Sequence, residues 1–412
     1  MKKTILYILL LISIFSCKNT DKNAAADVSK MSWEAIESSA KGSTVQFSMW
    51  QGDPLINRYM QDFVVPELKK RYDITLKINA GQGNELVKTL MAEKENNIAQ
   101  SAFDMCWING ETFYQLRQIQ GLHGGFVSQL PNSQYINFEN PFIKNDFQQA
   151  TDGYECPWGN VQMTIIYDSL RTPKPPLTLA DLETYLRAHQ DKFTIPNEFT
   201  GMTFLKSLMI GLSGDKNALD GAFDEAKYQQ LSKPLWDFIN RNKSYFWRQG
   251  KTFPESLAAM HLMFANGELD FTMSNNDCEV ENKISQNIFA PTSKAYVFDS
   301  GTIQNSHFLG IATHAPNKAG AMVVINFLIS PEAQFQKLTP SVWGDGTVLD
   351  IEKLPTEWRE KFHNLPARKN APSRKSINEK ALQEPAPEYM IRIFEDFRKK
   401  VLDVEKQNTN IE

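Results

Sequence analysis

The sequence predicts an α/β fold built as two lobes. The chain has 412 residues, more than one hydrophobic core ordinarily holds, so two lobes are expected. Between residues 44 and 108, strand patterns alternate with helical patterns, as in a parallel sheet with crossover helices. Polar loops recur where predicted strands end and helices begin. Because α/β sheets present ligands at that edge, the pattern also indicates a binding cleft.

The first residues predict export. Two lysines precede the apolar run Ile5–Phe15, which is too short for a permanent membrane span, and Cys17 follows directly after a serine. This resembles a bacterial lipobox, so we expect 1–16 to be a signal peptide and Cys17 to carry lipid. A simple secretory signal with an incidental cysteine is the alternative. The polar segment 17–42 reads as a tether, with a short helix at Trp33–Ala40.

Composition excludes several classes of protein. Hydrophobic residues make up 42% and charged residues 22%, and the net charge of −4 becomes −6 once the two signal-peptide lysines are removed. The charges are mixed, without a long basic run, which argues against nucleic acid as a partner. Cys106, Cys156 and Cys278 allow at most one disulfide and have no zinc-ligand spacing. We expect no metal and no cofactor.

The first lobe is predicted from three strands, Thr44–Met49, Ile74–Ile78 and Phe103–Ile108, each followed by a polar loop and a helix. The loops after the first and third strands offer aromatic faces, amides, a carboxylate and glycines that let backbone approach a ligand. The candidate ligand residues there are Trp50, Gln51, Gly52, Trp107, Asn109, Gly110 and Glu111. Residues 131–147 lack periodicity and read as a surface loop.

The second lobe is predicted to begin near Cys156, where a Pro/Gly-rich entry precedes a β-branched run. Two polar loops, one before a helix over 202–212 and one after a strand over 269–273, repeat the design of the first lobe. The candidates from these segments are Trp158, Asn160, Asn197, Thr200, Asn275, Asn276 and Asp277. Further elements are predicted as a helix over 178–189, strands over 193–196, 295–298 and 308–313, and helices over 226–247, 253–264, 317–329 and 388–407.

Several motifs resemble the C-terminal half of extracellular solute-binding proteins of family 1, which serve ABC importers. They are Gly267–Asp270, Gly301-Thr302, Ala315–Asn317 and Leu328–Gln334. A subgroup described as thiamine-type is similar at Trp50–Gly52, Trp107–Glu111, Pro157–Gly159 and Trp343–Asp345. The chain departs from that subgroup at Gln51, where a glycine is more usual. The resemblance covers about 43–412.

The resemblance implies the two-lobed type II periplasmic binding protein fold, with the ligand cleft between lobes. It places 43–155 with 299–339 in the first lobe and 156–298 with 340–412 in the second, and adds Gly301 and Thr302 to the candidate ligand residues. Such a protein closes on its ligand by hinge bending and is read by a membrane permease. We therefore expect a non-enzymatic monomer, anchored by lipid on the periplasmic or extracellular face of a bacterial envelope.

The chemistry of the ligand stays open at this level. Three tryptophans and several carboxylates suit a flat or cationic solute, thiamine or a related compound among them. The carboxylates are Asp53, Glu111, Asp277 and Glu279. Helix N-termini at 109–112 and 200–201 would instead suit an anion, and a zwitterion would satisfy both. For any one tryptophan, core packing is the competing interpretation.

Two other classes of function remain as alternatives. A secreted hydrolase would need paired carboxylates, for which Glu155 and Asp277 are the candidates, although no nucleophile or metalloprotease motif is present. A surface interaction protein would use the same fold without a permease.

Overall fold

The computed structural model describes residues 27–402. Cys17, the predicted signal peptide and the start of the predicted tether lie outside this range. The strands are β1 (Thr44–Met49), β2 (Thr75–Ala80), β3 (Met105–Ile108), β4 (Asn145–Asp146), β5 (Gln149–Ala150), β6 (Glu155–Gln162), β7 (Thr164–Asp168), β8 (Phe271–Ser274), β9 (Ser293–Tyr296), β10 (Thr302–Ile311) and β11 (Ala381–Leu382).

The helices cover the sheet faces and fill the second half of the chain. They are α1 (Trp33–Ala40), α2 (Pro54–Arg58), α3 (Val65–Tyr72), α4 (Asn84–Glu95), α5 (Gly110–Gln118), α6 (Pro141–Lys144), α7 (Leu179–Ala188), α8 (Phe199–Ser213), α9 (Glu225–Asn242), α10 (Leu257–Ala265), α11 (Glu279–Ser285), α12 (Lys318–Leu328), α13 (Pro331–Leu338), α14 (Thr356–His363), α15 (Arg374–Asn378) and α16 (Pro387–Phe397). A π-helical segment, Tyr59–Val64, joins α2 to α3. Within residues 27–402, no helix combines the length and apolarity that crossing a membrane requires.

The larger sheet carries the predicted parallel strands. β1 lies between β2 and β3 and is parallel to both, with Val45 opposite Leu76 and Phe47 opposite Met105. β10 extends the sheet antiparallel to β3 and also pairs with β6 and β11. The carboxyl ends of β1, β2 and β3 therefore share one edge, from which α2, α4 and α5 begin.

A smaller antiparallel sheet belongs to the second lobe. Its order is β8, β7, β9, with Ile166 of the central strand opposite both Thr272 and Ala295. The helices α7 to α10 pack around it, and α8 is buried along most of its length. This burial explains why α8 reads as apolar on all sides in the sequence.

Two antiparallel strands connect the two lobes. Along β10, Ile303 belongs to the second hydrophobic core and Phe308 to the first. In the paired segment, Trp158 lies in the first core and Met163 in the second. Residues 159–162 and 304–307 therefore form the link between the lobes, and we refer to them as the hinge.

The division of the hydrophobic cores differs from the expected lobe ranges near residue 340. Trp343, Val348 and Phe362 lie in the first core, whereas Leu382 and the chain after it lie in the second. The first core also takes in α1, whose Ile36 is 0% exposed. The segment expected to be a tether is therefore packed against the body from α1 onward.

Most predicted elements are present, with boundaries shifted by a few residues. The predicted strand over 193–196 is absent: Phe193 and Ile195 are buried in the second core, but the segment pairs with no strand within residues 27–402. Alternating apolar residues indicate that a segment is buried. An irregular segment that packs against a core can show this alternation as well as a strand can. The predicted surface loop over 131–147 contains α6 and the start of a β4–β5 hairpin, and Phe147 is only 2% exposed.

Candidate functional site

Two of the predicted indoles meet at the carboxyl edge of the larger sheet. Trp50 follows β1 and Trp107 lies near the end of β3, and their rings pack edge to face with centroids 6.5 Å apart. Trp50 is 40% exposed and Trp107 is half-buried. Gly52 is needed beside them because a side chain there would collide with the Trp50 ring, and Gln51 next to it is exposed.

The third predicted indole supports this pair from below. Trp158 is fully buried, and its ring centroid lies 5.0 Å from that of Trp107. It also packs against Trp343 at 5.4 Å. A side chain with no exposed surface does not reach a solute in the cleft in this conformation. Trp158 therefore follows the core-packing interpretation, and its role is to hold Trp107.

His307 and Trp343 complete the aromatic cluster and were not among the predicted site residues. The His307 ring lies 4.8 Å from Trp107 and stacks on Trp343 at 5.9 Å with an interplanar angle of 19°. The sequence gave one indication, because Trp343 belongs to a motif that is similar to the thiamine-type subgroup. Nothing local links either residue to Trp107, because 200 or more positions separate them.

A buried ion pair lies beneath the cluster. Lys337 is paired with Asp345, and the His307 Nε2 lies 3.0 Å from the Asp345 carboxylate. Burial works to raise the pKa of Asp345, but His307 and Lys337 outweigh it and lower that pKa. Lys337 also faces the Trp343 ring, 5.3 Å from its centroid. These buried charges hold the His307 and Trp343 rings in place, and Trp107 packs against both rings.

Glu111 is a cleft carboxylate with no salt bridge among residues 27–402. It lies in the first turn of α5 and is half-buried, and its one side-chain hydrogen bond is a long one, 3.5 Å from Gln115 Nε2. Burial raises the pKa of Glu111, and the charge of Lys206 offsets this only in part. Lys206 is itself paired with Glu384. Glu111 is thus left without a paired cation in the described part of the chain.

Three helix N-termini around the cleft are already occupied by carboxylates of the protein. Asp53 accepts from Leu55 N–H at 2.7 Å at the start of α2. At the start of α5 the backbone of Gly110 faces the Asp146 carboxylate and works to lower its pKa. Glu198 accepts from Thr200 N–H at 2.9 Å and caps α8. The anion sites expected at residues 109–112 and 200–201 therefore hold protein groups, which disfavours a ligand anion there.

The N-terminus of α4 differs from these three. Gly83 stands at its N-cap with a φ of +50°, and no side chain caps it. A Cβ on Gly83 would lie 3.8 Å from the hydroxyl of Thr112, so this helix start is next to α5. The Glu85 N–H donates to Gln82 O at 3.1 Å, so this helix start, at the same sheet edge as Glu111, is bonded by backbone and not by a carboxylate.

The second lobe brings two predicted residues together. The Asn275 amide donates to Thr200 Oγ1 at 3.3 Å, joining the loop after β8 to the start of α8. Asn276 closes a local turn by accepting from Cys278 N–H. Asn197 and Asn109 are half-buried, with no donor or acceptor contact to the cluster.

Asp277, expected as a ligand contact, is instead an internal ion-pair centre. It is 1% exposed and is bound by Arg368 and Arg374, the latter at 3.1 Å. Both arginines come from a segment more than 90 residues later, so the chain near β8 gives no hint of them. Glu155 and Asp277 were considered as the carboxylate pair of a hydrolase. In the structure Asp277 is bound by the two arginines, and the Glu155 oxygens have no hydrogen-bond partner within residues 27–402, so the two carboxylates are not bonded to each other.

Three more candidates, two on strands and one directly before β10, have structural roles. Asn160 is on the hinge, donating to Ser306 and accepting from Gln304. Thr302 is 1% exposed, and its hydroxyl donates to Met163 O at 2.7 Å. Gly301 has a φ of +93° and packs against the backbone of Lys380. The structure does not bring Gly301 or Thr302 to the aromatic cluster.

The three described cysteines are free and buried. Burial raises the pKa of the Cys106 thiol to about 12, so it is inert as a nucleophile. In the described part of the chain, no group of three or more His, Cys, Asp or Glu is placed to hold a metal ion.

One ion pair crosses between the lobes beside Trp50. Asp53 at the start of α2 lies 3.6 Å from Lys283 of α11, which also pairs with Glu279 at 3.1 Å. Next to it, Asn282 donates to Trp343 O at 2.7 Å. Sequence reasoning missed Lys283 because a single lysine on a short helix carries no distinguishing pattern.

A family model for bacterial extracellular solute-binding proteins matches residues 64–367. The chain is 38% identical over 336 residues to Protein YnjB of Escherichia coli (strain K12), covering 81% of this chain and 86% of that protein. The resemblance noted in the sequence is thereby confirmed at the level of the family. Neither match supports the thiamine-type subgroup in particular.

Solved structures share the fold at low sequence identity. The spermidine/putrescine ABC transporter substrate-binding protein PotD of Streptococcus pneumoniae superposes with a TM-score of 0.62 and 13% identity, covering 87% of this chain and 99% of that one. The periplasmic binding protein AfuA of Actinobacillus pleuropneumoniae, solved with fructose-6-phosphate, gives 0.60 and 12%, covering 87% and 98%. The two-lobed type II periplasmic binding protein fold is confirmed, and the chain belongs to the family of bacterial extracellular solute-binding proteins.

Proposed function

We propose that this protein is the substrate-binding component of an ABC importer and that it captures a cationic, ring-bearing solute between its lobes. Family membership supports the transport role. The observation that carries the ligand class is the grouping of Trp50, Trp107 and an unpaired Glu111 at one sheet edge. Aromatic faces attract cations by about 0.5–2 kcal/mol each when desolvated, and a carboxylate adds a directional charge.

The charges around the cleft favour a cation over an anion. Asp53, Asp146 and Glu198 already occupy three helix N-termini. The nearby cations Lys206 and Lys283 are paired with protein carboxylates. No side chain caps the start of α4, so this helix start is the place at the sheet edge where a solute carboxylate or phosphate would fit. A zwitterion with its cationic ring on the indoles and its anion at α4 therefore also fits, whereas a plain anion does not.

Delivery would follow hinge closure. Solute contacting both lobes stabilises the closed state by its differential affinity, and a permease recognises that state. Cys17 would carry the lipid that holds the protein at the bacterial envelope, with the body standing off the membrane as a monomer. Mass spectrometry of the intact protein from membranes tests the anchor: a diacyl or triacyl mass beginning at Cys17 is expected, and an unmodified exported chain would contradict it.

Ligand class is tested by melting-temperature shifts with a matched panel. The panel contains thiamine, spermidine, the zwitterion tryptophan and the anion benzoate. We expect thiamine or another ring cation to raise the Tm and benzoate to leave it unchanged. Spermidine alone raising the Tm would argue for charge recognition without stacking. A shift with benzoate only would overturn the proposed ligand class.

Two variants assign the site with the best compound from that panel. Glu111→Gln keeps the shape but removes the charge and should weaken binding by about tenfold or more, since a charge-assisted contact is worth about 1.5–3 kcal/mol. Trp50→Ala should weaken binding while leaving unliganded stability nearly unchanged, because the ring is 40% exposed. Glu95→Gln, on the exposed face of α4, is the control and should bind normally. Normal binding by both Glu111→Gln and Trp50→Ala would place the site elsewhere.

A further inference from the structure

A small recess lies on the hinge, away from the aromatic cluster. It is formed by the β4–β5 hairpin, the middle of β10 and the chain just after β11. The residues that matter for its chemistry are Asp146, Gln148, Gln304, Asn305, Ser306 and Glu384. Its free space is about 10 Å³, which is the room that one water molecule or one small ion needs.

Two buried oxygen atoms in this recess have no partner. Asp146 is 2% exposed and its Oδ2 accepts no hydrogen bond, while Gln304 is 4% exposed and its Oε1 accepts none either. The amide nitrogen of Gln304 is used, since it donates to Asn160 at 2.8 Å, and this orients Oε1 as the free end. Buried polar atoms are nearly always satisfied, so a carboxylate oxygen and an amide oxygen left free in one recess indicate a missing donor or cation.

The charges around the recess indicate that the missing group is a cation and not a neutral hydrogen-bond donor. Asp146 and Glu384 both line the recess, and Lys206, paired with Glu384, is the cation beside them. The remaining Glu384 oxygen accepts from Asn305 at 3.2 Å. Asp146 is 2% exposed and forms no salt bridge among residues 27–402, so no cation of the protein is paired with its carboxyl group.

We propose that this recess binds one dehydrated monovalent metal cation, Na⁺ or K⁺, through the oxygens of Asp146 and Gln304. Oxygen ligands and a net charge of one suit a hard monovalent ion. A divalent ion would ask for more carboxylates than the described chain places together. The proposal is independent of the solute in the main cleft.

The position of the recess gives the ion a structural role. Ser306 and Gln304 belong to the hinge, Asp146 lies beside Gly110 at the start of α5 of the first lobe, and Glu384 follows Leu382 of the second core. An ion held there joins the first lobe to the hinge and screens Asp146 from Glu384. The bound ion therefore stabilises the folded protein by mass action.

The test is the Tm of the unliganded protein in chloride salts at one fixed ionic strength. Replacing tetramethylammonium by 5–200 mM Na⁺ or K⁺ should raise the Tm of the natural protein by about 2 °C or more. Tetramethylammonium serves as the reference because it is too large for the recess. An equal Tm in all three salts overturns the proposal without any variant.

Variants locate the effect if it is found. Asp146→Asn should lose the Na⁺ or K⁺ shift, and Asp152→Asn, an exposed carboxylate nearby, should keep it. A shift that survives Asp146→Asn, or that disappears in Asp152→Asn, would contradict the assignment to this recess. A rise in Tm with only one of Na⁺ and K⁺ would identify that cation as the one the recess binds.

Discussion

At the scale of single residues, the clearest test concerns Glu155 at the start of β6. It is 1% exposed, and neither carboxylate oxygen has a hydrogen-bond partner. Burial, helped by the charge of Asp146, raises the pKa of Glu155 well above its ordinary range. The folded state thus holds a proton that the unfolded state releases. Its stabilising contribution is complete below the unfolded pKa of about 4.3 and is lost as pH rises toward the folded pKa.

Glu155→Gln should therefore flatten the pH dependence of stability. Between pH 5 and pH 8 the natural protein should lose more unfolding free energy than the variant, because only the natural protein must release this proton or keep it at a cost as the pH rises. Urea unfolding at both pH values measures this. Glu255→Gln, on the surface, should behave as the natural protein does. Identical pH slopes for the natural protein and Glu155→Gln would show that Glu155 ionises normally.

Residue-scale prediction from sequence worked where neighbours along the chain supply the contacts. Trp107 lies near the end of β3 and Glu111 in the helix that follows it, so their shared edge could be predicted from the alternation of strand, loop and helix. Asp277 could not be predicted correctly, because Arg368 and Arg374 determine its environment from far along the chain. His307 and Trp343 were missed for the same reason: each reaches the cluster only through the fold.

At the scale of elements, the cap of α8 is the clearest case of a helix start stabilised by a carboxylate. Glu198 at the N-cap of α8 accepts from Thr200 N–H and is buried enough that its pKa is raised. Glu198→Ala should lower the unfolding free energy by about 0.5–2 kcal/mol, and Glu198→Ser should recover most of the loss because serine is also a good cap. Denaturant midpoints at one pH measure both. Equal losses for alanine and serine would mean that the cap is not the source of the effect.

Local signals also explain which elements were predictable. Thr178 and Asp181 form a reciprocal capping box at α7, three residues apart, and sequence indicated this helix start. The segment over 193–196 failed because its apolar residues fill the second core without pairing. The β4–β5 hairpin was missed since its two-residue strands are too short for any periodicity.

At the scale of the whole molecule, two lobes and a parallel sheet followed from length and alternation. The division between lobes near residue 340 did not, because the chain stays in the first core from Phe308 through Phe362 and enters the second core only at Leu382. A segment that stays in one lobe and a segment that crosses to the other can have the same composition, and only tertiary packing separates them.

The Asp53–Lys283 ion pair should set the balance between open and closed lobes. Asp53 belongs to the first lobe and Lys283 to the second, and both side chains are nearly buried where they meet. Burial lowers the pKa of Lys283, but Glu279 and Asp53 outweigh it and raise that pKa, so the lysine is charged. Lys283→Gln removes the attraction across the cleft and leaves the uncharged stem in place. The unliganded variant should therefore populate the open state more than the natural protein does.

Small-angle scattering measures this directly, as a larger radius of gyration for unliganded Lys283→Gln. High salt should move the natural protein in the same direction by less, because nearly buried pairs are only partly screened. Lys294→Gln, an exposed lysine on β9 of the same lobe, should scatter as the natural protein does. If Lys283→Gln has an unchanged radius at every salt concentration, closure depends on the apolar contacts around Trp343 and not on this pair.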